Sequence, residues 1–391
     1  MMNFMSQLNE LEASGLIRLA QLQPELEYVF RHALVQDAAY SSLLKQDRRR
    51  LHLAVGQALE RLYPDRLDEL AGMLAHHFIK AGAREEGILY ARRAARQAMS
   101  MYAYDEALQH IQSARELLEG DAPSRIQVEL LEEEADAHRL VGHGTQAVSV
   151  YLRALEGWHS LAGEGEEKIH ALRLHRKTVE AITDLRWAVS VEDFDAALKS
   201  VLAALGTLEA GLRIMEGEPP HAETVRLLAA LSTAAWRILV PPNWEVALRY
   251  AQEAVRMAEL LDDRDALSIA LGALSVAPFG QGDLRSYTQV ALRRVLVNRT
   301  DPQGEIRELV DSLRGAGSAL MYVGEYQQAL QYLDEAQGLA VRIQAVDEHF
   351  NALALKVQCW FRLDRWDDVL AAESEWRNLE SRYGRARTGP T

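Results

Sequence analysis

Twelve histidines, one cysteine and scattered acidic runs are the groups in this 391-residue chain that could do chemistry, and their spacing assembles no reaction centre. His76 and His77 are neighbours on a predicted helix, where adjacent side chains point about 100° apart and do not converge on one metal ion. His138 and His143 straddle a predicted turn with no cysteine or ligand-spaced carboxylate nearby. Cys359 lies between Gln358 and Trp360 in a helical stretch and reads as a small buried side chain, since no Cys-His or Ser-His-Asp motif surrounds it. The run Glu132-Glu133-Glu134 reads as a solvated helix face rather than an acid/base pair. No Gly-x-x-x-x-Gly-Lys-Ser/Thr loop is present to cradle a triphosphate. The expectation is therefore a chain that is not an enzyme, with no catalytic residue, no cofactor and no metal.

Composition narrows the alternatives. Hydrophobic residues make up 48% and charged residues 26%, enough apolar material for an extensive core. The formal net charge of −14 repels phosphate backbones, so nucleic acid is a poor partner, and Arg48-Arg49-Arg50 is one short basic cluster against that field. A single cysteine fits a reducing compartment, and the expected location is cytoplasmic. Met1–Asn9 lacks the basic flank and apolar run of a signal peptide. The apolar stretch near Leu267–Phe279 is broken by Pro278 and too short to span a bilayer, so no membrane partner is expected.

Binding then has to come from the elements, and Arg307–Ile343 shows their plan. Leu313, Gly317 and Leu320 recur at helical spacing, Gly324 interrupts, and Tyr326, Ala329, Leu333 and Ala336 resume the spacing. This predicts a helix, a tight turn and a second helix, with small residues where the two approach. The unit resembles a tetratricopeptide repeat. From residue 48 onward the same pattern predicts pairs at 48–63/66–81, 84–101/104–119, 125–141/144–160, 165–188/191–213, 220–240/243–261, 263–280/283–298, 303–323/325–343 and 346–363/365–381. Tyr104, Gly144, Phe194, Trp244, Leu284, Tyr326 and Trp366 open the second helices, with alanine three residues on at Ala107, Ala147, Ala197, Ala247 and Ala329. Ala114, Ala154, Ala254 and Ala336 mark the next close contact. Gly120–Pro123, Gly163–Gly165, Gly217–Pro220, Asp262-Asp263 and Thr300–Pro302 supply stop and start signals between pairs. A lone hairpin cannot bury its apolar face, so stacking must build the core.

Residues 1–46 differ. Leu26–Phe30 alternates like a strand, a short hairpin is expected around Gln21–Pro24, and the following helix is predicted to point Leu34, Ala38 and Leu43 inward. The string Phe30-Arg-His-Ala-Leu-Val-Gln-Asp-Ala-Ala-Tyr-Ser-Ser-Leu-Leu44, followed by Arg48-Arg49-x-Leu51-His52 and Leu74-Ala-His76-His77-Phe78, resembles a junction in STAND-type AAA ATPases. These are multidomain bacterial signalling proteins, many with an adenylate/guanylate cyclase-like domain. The resemblance covers residues 8–118 and implies the end of a winged helix leading into tetratricopeptide-like repeats, with upstream ATPase or cyclase domains as partners. It gives a division into a partial winged-helix-like segment at 1–46, a connecting helix pair at 47–83, a repeat array at 84–382 and a disordered tail at 383–391.

The expected fold is thus all-α, a right-handed α-solenoid of tetratricopeptide-like hairpins after a small winged-helix-like remnant with a short β-hairpin. The expected function is a non-catalytic protein- or peptide-binding scaffold acting as the sensor arm of such a signalling protein. A stand-alone adaptor and the effector-sensing arm of a transcriptional regulator are the alternatives. The partner is expected in a concave groove lined by first helices, where Arg92, Arg93, Arg96, Glu129, Glu132, Glu133, Asp136, Arg139, Trp236 and Tyr322 avoid the packing skeleton.

Overall fold

A computed structural model describes residues 2–21, 27–101, 103–122, 124–161, 166–188, 219–238, 241–300 and 305–383. The chain divides into two compact units, Met1–Ala122 and Pro123–Thr391.

The first unit opens with α1 (Met2–Ala13) and an antiparallel pair, β1 (Ile17–Gln21) and β2 (Glu27–Phe30), in which Ile17 faces Phe30 and Leu19 faces Tyr28. α2 (Ala33–Ser42), α3 (Lys45–Leu62), α4 (Ala71–Ala81), α5 (Arg84–Ser100) and α6 (Tyr104–Glu116) follow, each from α3 onward packing on the next. The inward packing expected of α2 is not found. It contains no buried residue, Leu34 and Ala38 are exposed and only Leu43, at its C-cap, is half-buried. The apolar spacing of α2 is helical, but among the described residues nothing covers that face.

The second unit contains α7 (Arg125–Val141), α8 (Gly144–Leu161), α9 (Glu166–Ala188), α10 (Ala222–Arg237), α11 (Trp244–Leu261), α12 (Arg264–Gly280), α13 (Leu284–Arg299), α14 (Ile306–Tyr322), α15 (Tyr326–Arg342), α16 (Val346–Arg362) and α17 (Trp366–Tyr383). They pack as successive helix hairpins, the all-α solenoid read from the sequence. Tyr104, Gly144, Trp244, Leu284, Tyr326 and Trp366 each begin the second helix of a pair. Phe194, Ala197 and the helix expected at 191–213 lie outside the described residues, as do the hairpin turn at 22–26 and the tail from 384.

Small side chains make the pairing possible. Ala107, Ala114, Ala147, Ala154, Ala247, Ala254, Ala329 and Ala336 are all fully buried, which lets backbones approach to where a larger side chain would overlap. Gly317 is the extreme case, since a Cβ there would sit 2.5 Å from Leu333 Cγ. The turn between α14 and α15 needs Gly324 for another reason. Its φ of +86° is left-handed, and it lets the Glu325 amide donate to the Leu320 carbonyl at 2.9 Å and close the helix.

Aspartates and asparagine start the helices. Asn243 accepts from the Val246 amide, Asp263 from the Ala266 amide at 2.9 Å, and Asp283 from the Ser286 amide. Replacing Asp263 by alanine removes the cap of α12 and is expected to lower unfolding free energy by about 1 kcal/mol. A urea melt of D263A with an unchanged midpoint would contradict it.

Among the described residues no helix is long and apolar enough to cross a membrane, and no three His, Cys, Asp or Glu side chains are placed to share a metal ion. Cys359 is fully buried, and burial pushes its thiol pKa up to about 11.

Candidate partner-binding face

The first helices of the second unit carry charge at three- and four-residue spacing, and consecutive first helices join through it. On α7, Glu132 is only 6% exposed. It accepts from Arg173 Nε at 2.9 Å and lies 3.0 Å from His170 Nε2 and 2.8 Å from Lys177 Nζ, all on α9. Burial alone would raise its pKa, but His170, Lys177 and Arg173 together hold the carboxyl well below the ordinary range. The solvated-face reading of Glu132 is therefore corrected. Its partners lie about forty residues away, where only the stacking register brings them.

The ladder continues past Glu132. Lys177 Nζ also donates to Asp136 Oδ2 at 2.6 Å, and the Tyr151 hydroxyl donates to the same carboxylate. Arg139 donates to Glu180 at 2.7 Å and to Asp184 at 2.9 Å. Arg176 spans from Glu180 at 2.8 Å to Glu223 of α10 at 3.0 Å. A second ionic stretch lies further along. Arg294 of α13 holds Glu308 at 2.9 Å and Asp311 at 2.6 Å on α14, while Arg314 joins Asp311 to Glu348 of α16, the latter at 2.9 Å. Asp311 is half-buried, and that desolvation opposes ionisation, yet Arg294 and Arg314 lower its pKa to about 2.

The last turns of the first helices carry aromatic side chains. Trp236, near the end of α10, stacks on Trp244 with centroids 5.9 Å apart and planes 12° from parallel, and the Arg237 guanidinium lies 5.2 Å from its ring. Trp244 fits because residue 280 is glycine; a Cβ there would meet the indole at 2.3 Å. Phe279, in the last turn of α12, contacts Tyr322, in the last turn of α14, with centroids 4.8 Å apart, and both remain open to solvent. Trp236 and Tyr322 both sit in the last turn of their first helices, and the loop that follows α10 is longer than the one that follows α14.

The sequence candidates are thus distributed. Arg92, Arg93 and Arg96 belong to α5 of the first unit, where Arg93 lies over the Tyr90 ring at 5.6 Å and 3.5 Å from Asp68. Glu129 pairs with Arg125 at 3.1 Å, and Glu133 is half-buried. Phe279 was missed because it sits in an apolar run that reads as core. Its place in the last turn of a first helix, equivalent to that of Tyr322, was the signal that could have found it.

Two histidine groups also emerge. In the first unit His52 Nδ1 approaches His77 Nδ1 at 3.0 Å and its Nε2 meets the Tyr40 hydroxyl at 3.0 Å. His175 on α9 is fully buried with neither ring nitrogen hydrogen-bonded among the described residues, and burial, helped by the neighbouring His159, pushes its pKa down to about 4. Its folded pKa lies below the unfolded value of 6.5, so the unfolded chain takes up the proton first. Stability is complete above pH about 6.5 and falls by about 3 kcal/mol as pH drops to 4. Denaturant melts of His175→Leu should lack that fall; an identical slope would show that other groups carry it.

No protein-family model matches this chain, and no curated protein does. Solved structures do share its fold. One is a signal transduction ATPase with numerous domains (STAND) carrying a tetratricopeptide repeat sensor, from Pyrococcus horikoshii. It is 13% identical with a TM-score of 0.50, over 96% of this chain and 52% of that one. This chain therefore spans about half of that protein's length. The apo form of the quorum sensor NprR from B. thuringiensis is 14% identical with a TM-score of 0.55, over 89% and 92% of the two chains. Aspartyl phosphate phosphatase F from Bacillus subtilis is 13% identical with a TM-score of 0.51, over 89% and 87%. At these identities the likeness speaks for the fold: a tetratricopeptide-like helical repeat.

Proposed function

We propose that this chain is a non-catalytic repeat scaffold that binds a peptide or protein segment on its first-helix face and serves as the sensing arm of a STAND-type signalling ATPase. The carrying observation is the exposed Phe279–Tyr322 contact on neighbouring first helices, at the end of the helix that also carries the second ion-paired stretch. Exposed aromatic side chains on a rigid scaffold supply large contact area at low entropic cost. Phe279 and Tyr322 are the exposed anchors of this reading, and Trp236, half-buried against Ala235, Ala247 and Ala277, is the third. Glu129, Glu133, Asp136 and Arg139 form its electrostatic border, with the buried Glu132 holding α7 to α9 behind it, and Arg92, Arg93 and Arg96 form a basic surface on the first unit. The STAND assignment is supported by the Phe30–Leu44 string and by fold likeness to a STAND protein with a repeat sensor.

Selection from a random-peptide display library on the immobilised chain tests the binding half. Recovered peptides should lose at least about tenfold in affinity against F279A/Y322A, an exposed pair whose loss leaves the ion pairs intact. Equal affinity for the variant would remove this site. Immunoblotting of source cells with an antibody to residues 86–380 tests the arm. A band far above 43.8 kDa supports it, and a band at that mass favours the stand-alone adaptor.

A further inference from the structure

The first unit carries a second surface, on α3, that the first-helix reading does not use. Leu44, at its N-cap, is 73% exposed, Leu51 47%, Val55 41% and Leu62 69%. Their spacing of seven, four and seven residues places all four within about 20° of one line along the helix, a seam about 27 Å long. The side of α3 about 120° round from that line is the one that packs, with Gly56 buried against the Phe78 ring of α4. Four large apolar side chains in one exposed stripe are an unpartnered surface rather than scattered exposure.

The borders of the stripe say what fits it. Lys45 flanks one side and Arg61 the other, each about 100° from the line, and Arg48 lies within about 40° of it with its guanidinium 5.2 Å from the Tyr40 ring. Asp47 is the acidic residue on these borders, and it is 3.5 Å from Arg50. The seven-four-seven spacing is that of a helix-pairing seam, in which border charges select the partner. Two copies of α3 would face cation to cation. A flat anionic bilayer would meet the chain's net charge of −14 and a seam with no tryptophan or phenylalanine to insert.

We propose that the Leu44–Leu51–Val55–Leu62 stripe of α3 is a docking seam for an amphipathic helix of another protein whose apolar stripe is bordered by carboxylates. The partner's leucine-like side chains bury against the stripe, and its carboxylates pair with Lys45, Arg48 and Arg61.

The test uses the full chain and a fluorescein-labelled synthetic helix of three heptads with leucine at the a and d positions and glutamate at e and g. Fluorescence anisotropy should show binding that weakens as salt is raised, and a matched helix with lysine at e and g should not bind. L51E/V55E should weaken binding by about tenfold or more. K45E/R61E, which leaves the apolar stripe intact, should weaken it and flatten the salt dependence. Circular dichroism melts establish that each variant is folded. The proposal is overturned if the glutamate helix does not bind, if both helices bind alike, or if the folded variants bind as the parent does. It is also overturned if the chain instead pellets with phosphatidylserine vesicles or forms a dimer that L51E/V55E abolishes.

Discussion

Replacing Glu132 by alanine is expected to lower the unfolding free energy by about 3 kcal/mol. The carboxylate is nearly sealed between α7 and α9, and its removal leaves His170 and Lys177 facing one another across a space that water barely reaches. Arg173 is two-fifths exposed and can turn outward, which keeps the expected loss at the low end for a broken buried pair. E132Q keeps the shape and loses the charge, so it should recover little of the deficit.

The pH dependence has the same origin. The folded pKa of Glu132 is depressed, so its contribution is present above the ordinary carboxyl pKa and is lost as pH falls through the folded value. Asp311 behaves alike, with its share disappearing between pH about 4 and about 2. The slope of stability against pH below 4 should therefore be shallower in E132A than in the parent. Equal slopes in chemical melts, or a loss under about 1 kcal/mol, would mean that the α7–α9 pairs are solvated after all.

Two glycines two residues apart on α14 should respond with opposite signs. Ordinary helix propensity favours alanine over glycine by about 1 kcal/mol. At Gly315 nothing lies within 4 Å of where a methyl group would be added, so G315A should stabilise by up to about that amount. At Gly317 the methyl would sit 2.5 Å from Leu333 Cγ and 3.3 Å from the Ala329 carbonyl oxygen. Leu333 is fully buried and has nowhere to move, so overpacking of about 3 kcal/mol outweighs propensity and leaves G317A about 2 kcal/mol less stable. Thermal melts should separate the variants by about 4 °C, the shift that about 3 kcal/mol gives in a chain of this length. Two variants of equal stability would contradict the close approach of α14 and α15.

These two cases show where the sequence is legible and where it stops. Gly317, Ala329, Leu333 and Ala336 lie within one hairpin, so their spacing reports the contact directly, and Tyr104, Trp244 and Tyr326 open their helices where the sequence places them. Glu132 and its partners Arg173 and Lys177 lie on different hairpins, and nothing in an acidic run says which neighbour will cover it. The α2 reading failed in the reverse sense. Leu34 and Ala38 keep helical apolar spacing, but spacing names a face without saying that anything packs against it. Of the binding candidates, Tyr322 is exposed beside Phe279, whereas Asp136 and Arg139 are held in ion pairs between first helices.

Hydrogen–deuterium exchange of the full chain, with and without a peptide recovered by display selection, is the most direct test of a first-helix binding face. The prediction is slowed exchange in α10, α12 and α14, strongest in the last turns that carry Trp236, Phe279 and Tyr322, with α11, α13 and α15 unchanged. Protection confined to the second helices or to the first unit, or no protection at all by a peptide that binds, would contradict it.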